Sequence, residues 1–83
     1  MNTLIDKVAL ITGSGSGIGR SAAILFSQAG AKISVADVNA EHGTETVNLI
    51  EANGGQAIFV ECDVSKPENV RNMISTTVKA FGG

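Results

Sequence analysis

Eighty-three residues, 43% of them hydrophobic and carrying a formal net charge of −2, allow at most one small domain and give no basic surface for nucleic acid or an anionic membrane. The one cysteine, Cys62, excludes an internal disulfide, and no apolar run approaches the ~20 residues that span a bilayer. The start, Met1-Asn2-Thr3-Leu4-Ile5-Asp6-Lys7, is too polar for a signal peptide, so a cytoplasmic protein is expected.

Val8-Ala9-Leu10-Ile11 is apolar without alternation, as expected of a strand covered on both faces. A glycine-rich stretch, Gly13 to Gly19, follows it. Ile18, Ala22, Leu25, Phe26 and Ala29 then recur at helical spacing and predict the buried stripe of a first helix, with Gly30 just past its end. Ile33-Ser34-Val35-Ala36 predicts a second strand ending at Asp37. Asn39 is a candidate cap for a helix running to about Asn53, which Gly54-Gly55 would stop. Ala57-Ile58-Phe59-Val60 predicts a third strand. Ser65-Lys66-Pro67-Glu68 has the serine-to-glutamate spacing of a capping box, and Val70, Met73, Ile74, Thr77, Val78 and Phe81 share one face of the helix after it. Gly82-Gly83 would end that helix. Strands alternating with helices predict crossover units and a parallel sheet.

The loop Thr12-Gly13-Ser14-Gly15-Ser16-Gly17-Ile18-Gly19 lies where a strand gives way to a helix. A helix N-terminus there offers unpaired N–H groups and partial positive charge to a phosphate, and glycines let a ligand approach the backbone. The P-loop pattern fails, because Gly19-Arg20-Ser21 has arginine for lysine and Ser14 occupies its first glycine position. The pattern G-x-G-x-x-G also fails: from Gly13 its last position is Ile18, and from Gly15 it is Arg20. T-G-x-x-x-G-x-G does fit, through Thr12, Gly13, Gly17 and Gly19. Asp37 stands 18 residues beyond Gly19, where a ribose-binding carboxylate is expected about 20 residues past such a loop.

Loop, Asp37 at the end of the second strand and Asp63-Val64 after the third together resemble the short-chain dehydrogenases/reductases, over essentially the whole chain. The resemblance implies a Rossmann-type doubly wound parallel α/β sheet, of which residues 1–83 would be the NAD-binding N-terminal half, strand-helix three times over. It implies that Gly13, Gly17 and Gly19 shape the pyrophosphate turn after Thr12, and that Ser14, Ser16 and Ile18 line the cofactor. Asp37, followed by Val38, would take the adenosine ribose hydroxyls, and Asp63 and Val64 would border the adenine. NAD is expected in preference to NADP, because Val38 is not basic and the loop carries no cation. The complete protein would pass hydride between nicotinamide and an alcohol or carbonyl substrate, with no nucleic acid or membrane partner, and homo-oligomers are left open.

Other roles compete for several residues. Asp37 could cap the following helix, although Asn39 serves equally well. Arg20 could touch phosphate or face solvent. His42 is expected on the surface, and Cys62 in the core at a strand end. Gly13-Ser14-Gly15-Ser16-Gly17 also fits the loop of S-adenosylmethionine-dependent methyltransferases, which leaves Gly19 unexplained, and a non-catalytic nucleotide-binding module is the third reading. The family's catalytic tyrosine and the lysine four residues beyond it have no counterpart, since the chain holds no tyrosine. No residue is therefore assigned to catalysis and none to a metal, and the chain is expected to be part of a longer gene product.

Overall fold

The structure, a computed structural model, describes residues 3–82. Met1 and Asn2, which begin the polar N-terminal stretch, and Gly83, the second of the two expected stop glycines, lie outside the described residues. Six elements alternate along the chain: β1 (Val8–Thr12), α1 (Gly17–Gln28), β2 (Lys32–Asp37), α2 (Ala40–Ala52), β3 (Ala57–Glu61) and α3 (Pro67–Phe81). All strand pairs are parallel, in the order β1-β2-β3, with Thr12 opposite Ala36 and Asp37 opposite Glu61. This is the N-terminal half of a Rossmann-type sheet. The register brings the carboxyl ends of the three strands to one rim, where doubly wound sheets bind ligands.

Side-chain alternation along the strands sorts the helices into two layers. Ile33 and Val35 of β2 are buried against Ala23 of α1 and Ile50 of α2, with Ala9, Ile11 and Phe59 packed on the same cluster. Ala36 and Val60 face the other way, with Cys62, against Met73 of α3. Within this second layer the Ser34 and Thr77 hydroxyls pair at 2.7 Å, and Thr77 also reaches the Met73 carbonyl at 2.8 Å. Both residues are buried, at 0% and 5% exposure. Thr77→Val should strand the Ser34 hydroxyl and destabilise the fold by ~1–3 kcal/mol, whereas the double change with Ser34→Ala should cost less than the single one. Denaturant midpoints of the two variants measure the difference.

Two sequence expectations need correction. The stripe Ile18, Leu25, Phe26 does not face the sheet: these residues are exposed, Ile18 at 91%. The sheet-facing side of α1 is built from small residues, with Ala23 at 0% exposure and Gly19 pressed on the loop backbone. Small side chains let the helix axis come close, Ile24 packs at the margin of the core, and Ile18, Leu25 and Phe26 are turned aside. The second correction concerns Ser65. It is not the cap of α3; that position is Lys66, with Pro67 at the first helical position and no side-chain cap bond. The residue before a proline is pushed to extended backbone, here φ −110° and ψ 113°, which fixes Lys66 as the cap. The other boundaries hold, including Asn39, whose side chain accepts from the His42 N–H at 2.9 Å.

Among the described residues β1 pairs with β2 alone, and its other edge is open. An unpaired apolar edge is a template for a second strand. Expressed by itself, the 83-residue chain is expected to self-associate or to melt without a sharp transition. A monomer in sedimentation with a cooperative melt above ~60 °C would contradict this.

Candidate cofactor-binding site

The glycine loop is shaped by two left-handed residues and one close contact. Gly13 and Gly17 have φ of +66° and +59°, and a Cβ at either would meet nothing within 4 Å. Their faces are open, and an L side chain there would be strained and project into the space a ligand needs. At Gly19 a Cβ would collide with the Gly13 carbonyl, so only glycine lets α1 begin this close to the end of β1. This accounts for Gly19, which the methyltransferase reading left without a role. Ser16 is the cap residue of α1 but makes no side-chain cap bond. The first N–H groups of the helix, from Gly17, Ile18 and Gly19, are therefore uncapped by any side chain and suited to an anion.

Ser14 departs from expectation. It is fully buried, its hydroxyl donates to the Ile11 carbonyl at 2.6 Å and accepts from the Ala36 N–H at 3.1 Å, and its own N–H donates to the Ala36 carbonyl. It extends the β1–β2 pairing past Thr12 and has no surface for a ligand.

Asp37 ends β2 with both carboxylate oxygens engaged. Oδ2 accepts from the Gly15 N–H and Oδ1 from the Asn39 N–H, each at 2.9 Å. The Asn39 N–H holds the Asp37 carboxyl below its ordinary pKa of 3.8. The N–H groups of Gly15 and Val38 and the nearby His42 add to this, and partial burial opposes it. The carboxylate is thus fixed and ionised against the loop, and each oxygen retains a lone pair for a further donor. Asp63 is held in a turn: its Oδ1 accepts from the Ser65 hydroxyl at 2.7 Å and the Ser65 N–H at 3.0 Å. These bonds, the hydroxyl first, lower its pKa as well. The Asp63 N–H donates to Asn69 Oδ1 at 3.2 Å, which ties the turn to α3.

Thr12, Gly13, Asp37, Val38, Cys62, Asp63 and Val64 surround one cleft of ≈ 290 Å³ at the strand ends. Six of these were expected from sequence. Cys62 was expected in the core and is there, at 3% exposure, while its edge also floors the cleft. Val38 and Val64 are 64% and 61% exposed, an apolar lip on a site with two carboxylates. Ser16, Gly17 and Ile18 stand outside the cleft at the exposed start of α1. A hollow of ≈ 200 Å³ at the other end of the sheet, between Ile5, Ser27, Lys32 and Gln56, gathers none of these residues.

Sequence reasoning missed how the loop is anchored. Arg20 is neither a solvent-facing residue nor a free phosphate ligand. Its Nε donates to Thr46 Oγ1 at 2.8 Å, its Nη2 to the Gly15 and His42 carbonyls, and its Nη1 pairs with Glu45 Oε1 at 2.7 Å. Thr46 is fully buried on the inner side of α2. A threonine among the apolar positions of a helix face was the available signal that something polar had to meet it. His42 is exposed, as expected. Among the described residues no cluster of three metal-ligating side chains occurs, and no helix is long and apolar enough to cross a membrane.

A parallel sheet with helices on both faces, a glycine-rich helix start that no side chain caps and a carboxylate at the next strand end together suit a nucleotide. Residues 7–83 match the family model described as short chain dehydrogenase, and the chain belongs to that family. It is 47% identical over 76 residues to an uncharacterized oxidoreductase of Thermotoga maritima, covering 92% of this chain and 30% of that protein. It is 41% identical over 83 residues to a 2,5-dichloro-2,5-cyclohexadiene-1,4-diol dehydrogenase of Sphingobium indicum, covering 100% of this chain and 32% of the relative. A hydroxysteroid dehydrogenase structure from Escherichia coli superposes with a TM-score of 0.94 at 37% identity, over 95% of this chain and 34% of that one. The chain thus spans about a third of the length of these relatives. Family membership does not favour the methyltransferase reading.

Proposed function

We propose that residues 1–83 are the cofactor-binding first portion of a longer oxidoreductase that prefers NAD to NADP. The observation that carries this is the Asp37 carboxylate, ionised and pinned to Gly15 beside the open faces of Gly13 and Gly17. In this reading the N–H groups at the start of α1 hold the pyrophosphate, and Asp37 accepts from the adenosine ribose hydroxyls. Thr12, Val38, Asp63 and Val64 border the adenosine half of the cofactor, with Ser16 and Ile18 beside the pyrophosphate. When bound, the dinucleotide supplies the nicotinamide carbon that takes or gives hydride, with an alcohol or carbonyl as the other partner. The chain's own residues bind and orient it. A cytoplasmic setting belongs to the same proposal.

Titration of the full-length enzyme with NAD⁺ across pH tests the reading. Asp37 has a lowered pKa, so its charge is complete at neutral pH and is lost only as pH falls through that lowered value, below 3.8. The Asp37 contribution to affinity, read as the difference between wild type and Asp37→Asn, should therefore be flat through the mildly acidic range. No saturable NAD⁺ binding, or no such difference at neutral pH, would remove Asp37 from the ribose site.

A further inference from the structure

Arg20, Gly15, Asp37, Asn39 and His42 form a closed ring of hydrogen bonds. Arg20 donates to the Gly15 carbonyl, and the Gly15 N–H donates to Asp37. Asp37 accepts also from the Asn39 N–H, the Asn39 side chain accepts from the His42 N–H, and the His42 carbonyl accepts from Arg20 at 3.2 Å. The ring runs through the loop, α1, the end of β2 and the start of α2, and it returns to the carboxylate. Thr46 braces it from inside, with Oγ1 at 3.2 Å from both the Gly15 and His42 carbonyls.

Gly15 is the link between Arg20 and Asp37. A Cβ on it would lie 2.8 Å from Asp37 Oδ2 and 3.0 Å from the His42 Cβ, so the residue fills its gap completely. The Gly15 N–H holds the carboxylate and the Gly15 carbonyl, one peptide further on, is gripped by Arg20 and Thr46, so the two grips meet across the Gly15 Cα. Four of the five guanidinium N–H groups are engaged and the charge is paired with Glu45, which leaves Arg20 a single Nη1 N–H to offer a phosphate. Neither Arg20 nor Thr46 lines the cleft.

We propose that Arg20 is a positioning residue: through Gly15 it sets the Asp37 carboxylate for the two hydroxyls of the adenosine ribose, and so sets affinity for that sugar without touching it. This rests on the ribose role of Asp37 given above. A guanidinium suits the task because its planar fork serves a hydroxyl, two carbonyls and a carboxylate at once, which a lysine ammonium cannot.

The test compares NAD⁺ with the NAD⁺ analogue whose adenosine ribose lacks both hydroxyls, in the full-length enzyme. Wild type should bind NAD⁺ more tightly than the analogue. Arg20→Gln should raise the Kd for NAD⁺ about tenfold, the lower worth of one charge-assisted hydrogen bond. It should raise the analogue's Kd by clearly less, because the loop that Arg20 anchors serves both ligands and the sugar contact serves NAD⁺ alone. Thr46→Val, which keeps the shape and removes only the hydroxyl, should show the same selectivity at smaller size and serves if Arg20→Gln fails to fold. Equal weakening of both ligands, or of neither, in the folded variant overturns the positioning role. A wild type indifferent to the ribose hydroxyls overturns the Asp37 reading and this one with it, a failure visible before any variant is made.

Discussion

The 83-residue chain alone is expected to oxidise no alcohol and reduce no ketone. The proton-transfer tyrosine that the family resemblance calls for has no counterpart, because the chain contains no tyrosine. The titratable groups that are present are otherwise engaged or poorly placed. Cys62 is buried beneath the cleft, and His42, the one histidine, sits in the first turn of α2 on the exposed side. Asp37 and Asp63 are held ionised by N–H and O–H donors, so neither can give up a proton at neutral pH. General acid–base catalysis contributes ~10²–10⁴-fold, and substrate positioning adds its own large factor. Loss of both leaves nothing above background. The check is reduced-nicotinamide absorbance with purified chain, NAD⁺ and a panel of secondary alcohols. Enzyme-like turnover would mean that chemistry resides in residues assigned here to binding.

A reversal of cofactor preference is the second large effect expected, on replacing Asp37 and Val38 in the full-length enzyme. The carboxylate can accept from both ribose hydroxyls, and a hydrogen bond involving a charged partner is worth roughly 1.5–3 kcal/mol, about 10- to 150-fold. The 2′-phosphate of NADP removes one donor and sets a dianion against the carboxylate, so attraction and repulsion favour the same cofactor. Among the described residues the Arg20 guanidinium is taken up by Glu45 and two carbonyls, and Lys66 stands on the Asp63 side of the cleft. Asp37→Ser should erode the preference. Asp37→Ser with Val38→Arg should carry it to NADP, because Val38 is exposed on the lip of the cleft and an arginine there pairs well with phosphate. The serine is also expected to lower stability, as it gives up the acceptor for the Gly15 N–H. The ratio of kcat/KM for the two cofactors, in wild type and both variants, measures the effect. Equal or NADP-favouring values in the wild type would take Asp37 out of the ribose role.

The sequence made some features legible and hid others for physical reasons. The strands stood out because Val8–Ile11, Ile33–Ala36 and Ala57–Val60 are short, largely apolar runs, each with a glycine within three residues on one side, as covering on both faces allows. Asn39 was readable because a cap acts within one helical turn. The face of α1 was not, because hydrophobic periodicity weights large residues, and this helix packs through Gly19, Ala23 and Ile24, off the stripe of Ile18, Leu25 and Phe26. Ser14 looked like any serine of a glycine loop until its hydroxyl was seen closing the β1–β2 ladder. The Ser65 spacing promised a cap, but Asp63 claims that hydroxyl, and Pro67 moves the helix start by one residue. The Arg20 ring joins residues 22 positions apart through backbone groups that no motif records. Local chemistry was readable, and closure in space was not.

The position of the Asp37 carboxylate relative to the cofactor decides the ribose assignment. A crystal structure of the full-length enzyme with NAD⁺ measures this directly. The carboxylate oxygens should lie within hydrogen-bonding distance, ~2.5–3.0 Å, of the adenosine ribose hydroxyls, with the Gly15 N–H still bound to Oδ2. An adenosine ribose bound elsewhere, or an Asp37 turned away to cap α2, would contradict it.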